Sequence, residues 1–263
     1  MPAPGLIPGG KNDAKSIQRP DFRAMTFRRV ETPSPNFDAR PIGAAIDMLV
    51  LHYTGMKTAD EALSRLCSPE AKVSAHYTVD TEGCVYVHVA EECRAWHAGV
   101  SYWASKPSVN DRSIGIELVN PGHEFGYVPF TVDQIAALIE LTQGILSRHP
   151  IPARFVLGHS DVAPARKTDP GEMFPWQRLA EAGIGLWPNL HPPLEGGSEN
   201  SSTAKDFPGR GLARFGYGVP PEVDVPLEAV VTAFQRHFRP AKIDGIADDE
   251  CRAILTSLLE SIA

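Results

Sequence analysis

Two short apolar runs in this chain each stop at a histidine, and that feature constrains the fold most. Ile46 to Leu51, broken only by Asp47, ends at His52, and Arg154 to Leu157 ends at Gly158-His159. Short apolar runs rich in β-branched residues read as strands buried on both faces. Two such strands belong at the centre of one sheet, where their ends can converge and carry two imidazoles to one place. Ser74 to Asp80 alternates like a strand, Thr81-Glu82-Gly83 makes a turn, and Val85 to Val89 returns as a hairpin. Ile114 to Val119 is a further strand.

Helices separate these strands. Thr58 reads as the N-cap of a helix running to about Leu66. Thr131 with Gln134 three residues later is a capping-box pattern. Ile135, Leu138, Ile139, Leu141, Ile145 and Leu146 follow it with helical spacing up to Pro150. Ser160 to Pro175 reads as loop, with a short helix from about Trp176. The expected class is α/β, a mixed central β-sheet flanked by helices, plus a small C-terminal all-helical domain. With 22 glycines and 24 prolines, a helical bundle is excluded.

Residues 1–45 are proline-rich and read as an extended N-terminal arm, its second half lying along the body. Residues 46–190 hold the sheet. Residues 191–210 are rich in Pro, Gly, Ser, Asn and Thr and read as a linker. Residues 211–263 carry two helical patterns, one with Leu227, Val230, Val231, Phe234 and Phe238, the other with Cys251, Ile254, Leu255, Leu258, Leu259 and Ile262.

The net charge of −7 comes without a basic stripe, which argues against a nucleic-acid partner. No apolar run is long enough to span a membrane. The N-terminus shows neither an export signal nor a lipobox cysteine, so the expected compartment is the cytoplasm, with the periplasm or cell envelope as the alternative. Cys67, Cys84, Cys93 and Cys251 read as free thiols. Nothing in the sequence sets an oligomeric state.

Chemistry concentrates in the segment from Gly158 to Gly171, which presents His159, Asp161, Lys167 and Asp169 between rigidifying prolines. A catalytic zinc takes three N or O ligands and leaves a fourth position for water. His52, His159 and Asp169 supply such a set. Asp161 is the competing carboxylate, but two residues from His159 it more naturally caps the loop. Such a metal would acidify water and polarise a carbonyl. Glu117, flanked by Ile116 and Leu118, is a carboxylate in apolar surroundings, a setting that raises its pKa and suits it to proton transfer. Lys167 lies two residues from Asp169 and so close to any metal there, where it can stabilise an oxyanion.

Five stretches together resemble the zinc N-acetylmuramoyl-L-alanine amidases of the AmpD/AmiD type, which share their fold with peptidoglycan recognition proteins. They are Leu49-Val50-Leu51-His52-Tyr53-Thr54-Gly55, Val73-Ser74-Ala75-His76-Tyr77, Ala95-Trp96-His97-Ala98-Gly99, Asn110 to Leu118, and His159 to Gly171. The resemblance implies Zn(2+) on His52, His159 and Asp169, with Glu117 and Lys167 catalytic. It implies hydrolysis of the amide between the lactyl group of N-acetylmuramic or 1,6-anhydro-N-acetylmuramic acid and L-alanine, with muropeptides as partners. It places His76, Trp96 and His97 around the substrate cleft, core packing being the competing reading for His76 and Trp96. Asn110 and Arg112 are expected to meet sugar or peptide. His88, His123, His149, His191 and His237 read as ordinary surface residues. Some relatives bind peptidoglycan without cutting it after losing a metal ligand, but all three ligand positions are intact here.

The tail resembles, more weakly, a three-helix peptidoglycan-binding module. Ala233-Phe234-Gln235-Arg236-His237-Phe238 and Asp244-Gly245 match it, but Ala247-Asp248-Asp249-Glu250 stands where the module has Gly-Pro-x-Thr. A helical appendage packed on the body is the alternative. The linker implies that hydrolysis of small soluble fragments would survive loss of the tail.

Overall fold

The computed structural model describes residues 26–190 and 207–263. The first 25 residues, His191, and residues 191–206 of the expected linker lie outside the described residues.

A six-stranded sheet forms the centre. In chain order its strands are β1 (Arg29–Glu31), β3 (Met48–Tyr53), β4 (Tyr77–Val79), β5 (Val85–Val87), β9 (Ser113–Leu118) and β10 (Val156–Gly158). Their spatial order is β1-β5-β4-β9-β3-β10, parallel throughout except for the β4–β5 hairpin. Strands β2 (Phe37–Ala39) and β6 (Cys93–Ala95) pair antiparallel, as do β7 (Tyr102–Trp103) and β8 (Lys106–Pro107). Met48, Leu49, Val50 and Leu51, like Ile114, Ile116 and Leu118, are completely inaccessible. Central parallel strands are covered on both faces, which is why their sequences read as unbroken apolar runs.

The helices of the body are α1 (Ala59–Cys67), the short α2 (Gly122–Phe125), α3 (Val132–Arg148), the single turn α4 (His159–Val162) and α5 (Trp176–Glu181). Thr58 caps α1 by accepting from the Glu61 amide, and Thr131 caps α3 by accepting from the Gln134 amide. The expected reciprocal half of the α3 capping box is not made. Gln134 instead donates to the carbonyls of Val79 and Val119, pinning the helix to the ends of β4 and β9. The strand expected from Arg154 starts only at Val156, because Ala153–Phe155 forms a 3-10 turn.

The arm is built into the fold more fully than its prolines imply. β1 extends the main sheet, and Asn36 donates to the carbonyls of Ser68 and Val73. Arg40 spreads its guanidinium over the carbonyls of Glu91, Asn110, Asp111 and Ser113 at 2.8–3.1 Å. Burial pulls its pKa down to about 10. All four cysteines are free.

The tail forms α6 (Gly209–Phe215), α7 (Leu227–Phe238) and α8 (Asp249–Glu260), so the helix begins inside the expected linker range. These helices share one apolar core with the body. Trp103 packs edge-on against Tyr217 and Phe215, with ring centroids 4.8 and 6.0 Å away. Trp176 of α5 stacks on His237 at 3.7 Å. Among the described residues, no helix is long and apolar enough to cross a membrane.

Candidate active site

Sheet register assembles the site. β3 and β9 pair with His52 opposite Glu117, so both side chains leave the same face of adjacent strands. β10 pairs with β3 so that Gly158 lies beside Leu51. The next residue on each strand is a histidine, and His159 and His52 emerge together. The loop after α4 returns Asp169 to the same point, where the Ser160 amide donates to the Asp169 carbonyl at 2.9 Å.

His52 Nδ1 lies 3.0 Å from His159 Nδ1 and 3.0 Å from Asp169 Oδ2, and His159 Nδ1 lies 3.1 Å from that same oxygen. All three residues are at least 94% buried. The hydrogen-bond network around them sets where the protons are. Ser113 donates its single hydroxyl proton to the Val109 carbonyl at 2.7 Å, so its oxygen must accept from His97 Nε2–H at 3.1 Å. His97 Nδ1 is then an acceptor and takes the proton of His52 Nε2–H at 3.0 Å. His159 Nε2 faces the Ala98 carbonyl at 3.0 Å and must also carry a proton.

Both Nδ1 atoms therefore present bare lone pairs to each other and to a carboxylate oxygen. Three mutually facing acceptors repel unless a cation sits among them, and two imidazoles with one carboxylate suit a tetrahedral metal with an open position. Burial, then the neighbouring His159 imidazole, lowers His52 to about 4, which keeps it neutral at pH 7. The donors present fit a divalent metal.

His97 thus orients His52, as the group behind a metal-bound imidazole usually does. Its ring lies flat against β9 at Gly115, where a Cβ would come within 2.4 Å of it. Asn110 accepts from the amides of Ala98 and His97 at 2.8 and 3.3 Å and so fixes that backbone.

Glu117 and Lys167 both line a cleft of about 1280 Å³, whose walls also include Glu61 and Arg65 of α1, Trp96 and Arg166. One oxygen of Glu117 is buried with no hydrogen-bond partner. Burial, then the Asp169 carboxylate, raises its pKa well above the ordinary value, with Lys167 opposing.

Of the five residues expected to contact substrate, Trp96 and His97 line this cleft. His76, Asn110 and Arg112 do not. His76 is fully buried, accepting from the Gly115 amide at 3.0 Å. Arg112 forms a two-point ion pair with Asp47 and lies over the Phe155 ring. Its guanidinium is thus already committed to a carboxylate of the protein itself. Asp161 is not a ligand either, and its carboxylate closes the Gly158 turn at 2.8 Å. His88 and His237, expected at the surface, are buried. Sequence reasoning missed Tyr53 and Arg166 at the cleft. The first directly follows His52 and the second directly precedes Lys167, and that adjacency was the available signal.

The family model for N-acetylmuramoyl-L-alanine amidase matches residues 42–172. N-acetylmuramoyl-L-alanine amidase AmiD of Escherichia coli (strain K12) is 36% identical, over 97% of this chain and 94% of that protein. 1,6-Anhydro-N-acetylmuramyl-L-alanine amidase AmpD of the same organism is 34% identical over 58% of this chain and 89% of its own length. The structure of E. coli AmiD in complex with the substrate anhydro-N-acetylmuramic acid-L-Ala-D-gamma-Glu-L-Lys superposes with a TM-score of 0.72 at 39% identity, covering 84% of this chain and 92% of that one. With relatedness running over nearly the whole sequence, and with His52, Glu117, His159, Lys167 and Asp169 gathered in one cleft, the chain belongs to the N-acetylmuramoyl-L-alanine amidase family.

Proposed function

We propose that this chain hydrolyses the amide between the lactyl group of 1,6-anhydro-N-acetylmuramic acid and L-alanine in soluble muropeptides, as a step of cytoplasmic peptidoglycan recycling. The observation that carries the reading is the trio of proton-free ligand atoms on His52, His159 and Asp169, with Glu117 beside His52 in the sheet register. A zinc ion held by those three side chains supplies a Lewis acid for the amide carbonyl and acidifies water.

The protein's own groups do the rest. Glu117, with an unpartnered buried oxygen and a raised pKa, takes the proton of the attacking water and passes it to the departing L-alanine nitrogen. Lys167 places an ammonium beside the negative charge that develops on the carbonyl oxygen. Trp96 forms part of the cleft wall, its indole N–H held by Asp38 at 2.8 Å. Behind the reacting groups, His97 keeps His52 in its ligating tautomer, Asn110 fixes the backbone that carries His97, and His76 holds the Gly115 amide beneath it. The ligand bound in the AmiD complex supports an anhydro-sugar substrate.

Two measurements test this together. The purified protein should contain about one zinc per chain, and a chelator should abolish its activity until zinc is returned. Purified anhydro-muropeptides should yield free stem peptide faster than intact sacculi do. Full activity in metal-free protein refutes the chemistry, and a preference for sacculi refutes the recycling role.

A further inference from the structure

Among the polar contacts between tail and body, two converge on one carboxylate directly behind the metal-ligand turn. Asp161 lies on α4, two residues from His159, and its side chain is wholly buried. Its carboxylate has three partners. Oδ2 accepts from the Gly158 amide at 2.8 Å and from His237 Nδ1–H at 2.7 Å. Oδ1 accepts from the Tyr217 hydroxyl at 2.6 Å. The first donor belongs to the turn itself, while the other two come from the tail. His237 is clamped between Trp176 and Phe238, with ring centroids 3.7 and 3.9 Å away.

We infer that Tyr217 and His237 are positioning residues for the metal centre, acting through Asp161, so that the tail is a built-in support of the site. The inference rests on His52, His159 and Asp169 being the metal ligands. A buried carboxylate is stable only with its hydrogen bonds made. Without the tail, Asp161 keeps one donor of the three and must turn outward or admit water, releasing the Gly158 amide. That movement reaches both ligands on this side of the site. The Ala163 amide donates to the His159 carbonyl across α4, and the Ser160 amide donates to the Asp169 carbonyl. Gly158 also packs closely on the loop that carries Asp169, since a Cβ there would lie 2.7 Å from Pro170, the next residue.

The shared apolar core favours the alternative reading of a helical appendage packed on the body over a tail held apart by a linker. A tethered wall-binding module would need no buried hydrogen bonds beneath a catalytic loop.

The test uses the full chain. Tyr217→Phe removes one hydroxyl, and His237→Phe keeps the ring stack but loses the donor. Leu258→Ala, in α8, weakens the tail's apolar packing without touching Asp161. Zinc affinity is measured by competition with a chromophoric chelator, and exchange of the Gly158 amide by NMR. Tyr217→Phe and His237→Phe should each weaken zinc binding about tenfold, the lower end for outer-shell substitutions, and should speed Gly158 exchange. Leu258→Ala should lower the Tm while zinc affinity stays within twofold. The inference is overturned if the two clamp variants bind zinc like the wild type, or lose no more affinity than Leu258→Ala. If the wild type itself binds no zinc, the proposed function fails. Gly158 exchange then decides the clamp alone, because unchanged protection in both variants refutes it.

Discussion

Replacing Glu117 by Gln should stabilise the metal-free protein increasingly as pH rises, while removing its activity. Glu117 sits with one oxygen buried and unpartnered, and burial followed by the Asp169 carboxylate raises its pKa above the ordinary 4.5. Below pH 4.5 the carboxyl is protonated in both folded and unfolded chains, so Glu and Gln differ by a constant. Above 4.5 the unfolded chain gives up the proton while the folded site keeps it. The unfolded state then binds fewer protons, and the wild type loses about 1.4 kcal/mol of stability per pH unit until the folded pKa is reached. Gln has no proton to lose. For a chain of this size each kcal/mol moves Tm by about 2–4 °C. The advantage of Glu117→Gln should therefore widen by about 3–6 °C per pH unit over that window and then level off. Thermal unfolding of both proteins in excess chelator, at intervals from pH 4.5 to 8, reads it directly. A difference that stays flat with pH would mean that Glu117 titrates normally in the fold, and the burial argument for its role as proton carrier would fall. The same substitution should leave zinc bound in the loaded enzyme and cut turnover at least 100-fold, about the scale of losing one general acid–base group.

Lys167→Ala should retain zinc and lose about 100- to 1000-fold in kcat, as expected for one oxyanion-stabilising group, and near wild-type turnover would remove Lys167 from the mechanism. His97→Phe fills the space above Gly115 but cannot accept from His52 Nε2–H, so zinc affinity should fall about 10- to 100-fold. Unchanged affinity in chelator competition would contradict the tautomers assigned here. Arg112→Ala breaks the Asp47 pair and should cost about 1.5–3 kcal/mol of stability, in line with charged hydrogen bonds, with KM unaltered. A large rise in KM at unchanged Tm would return Arg112 to the substrate cleft.

Much of the molecule follows from interactions within a few residues. The apolar run ending at His52, the Thr58 and Thr131 N-caps, and the helical spacing of Val230, Phe234 and Phe238 are local patterns that appear as read, while the run ending at His159 becomes a strand only from Val156. The grouping of His52, His159 and Asp169, which could hold a metal ion, was legible because two strand ends and one polar loop carry them. Tertiary structure alone decided what the remaining polar residues do. Arg112 finds its carboxylate 65 positions away in the sequence, and Asp161 meets His237 across 76. His97 became a support for His52 only when the sheet register set Gly115 beneath its ring. Burial of an apolar side chain can be read from its spacing, because any apolar neighbour satisfies it. A polar side chain takes its role from one particular partner, and partners far apart in sequence are chosen only when the chain has closed on itself.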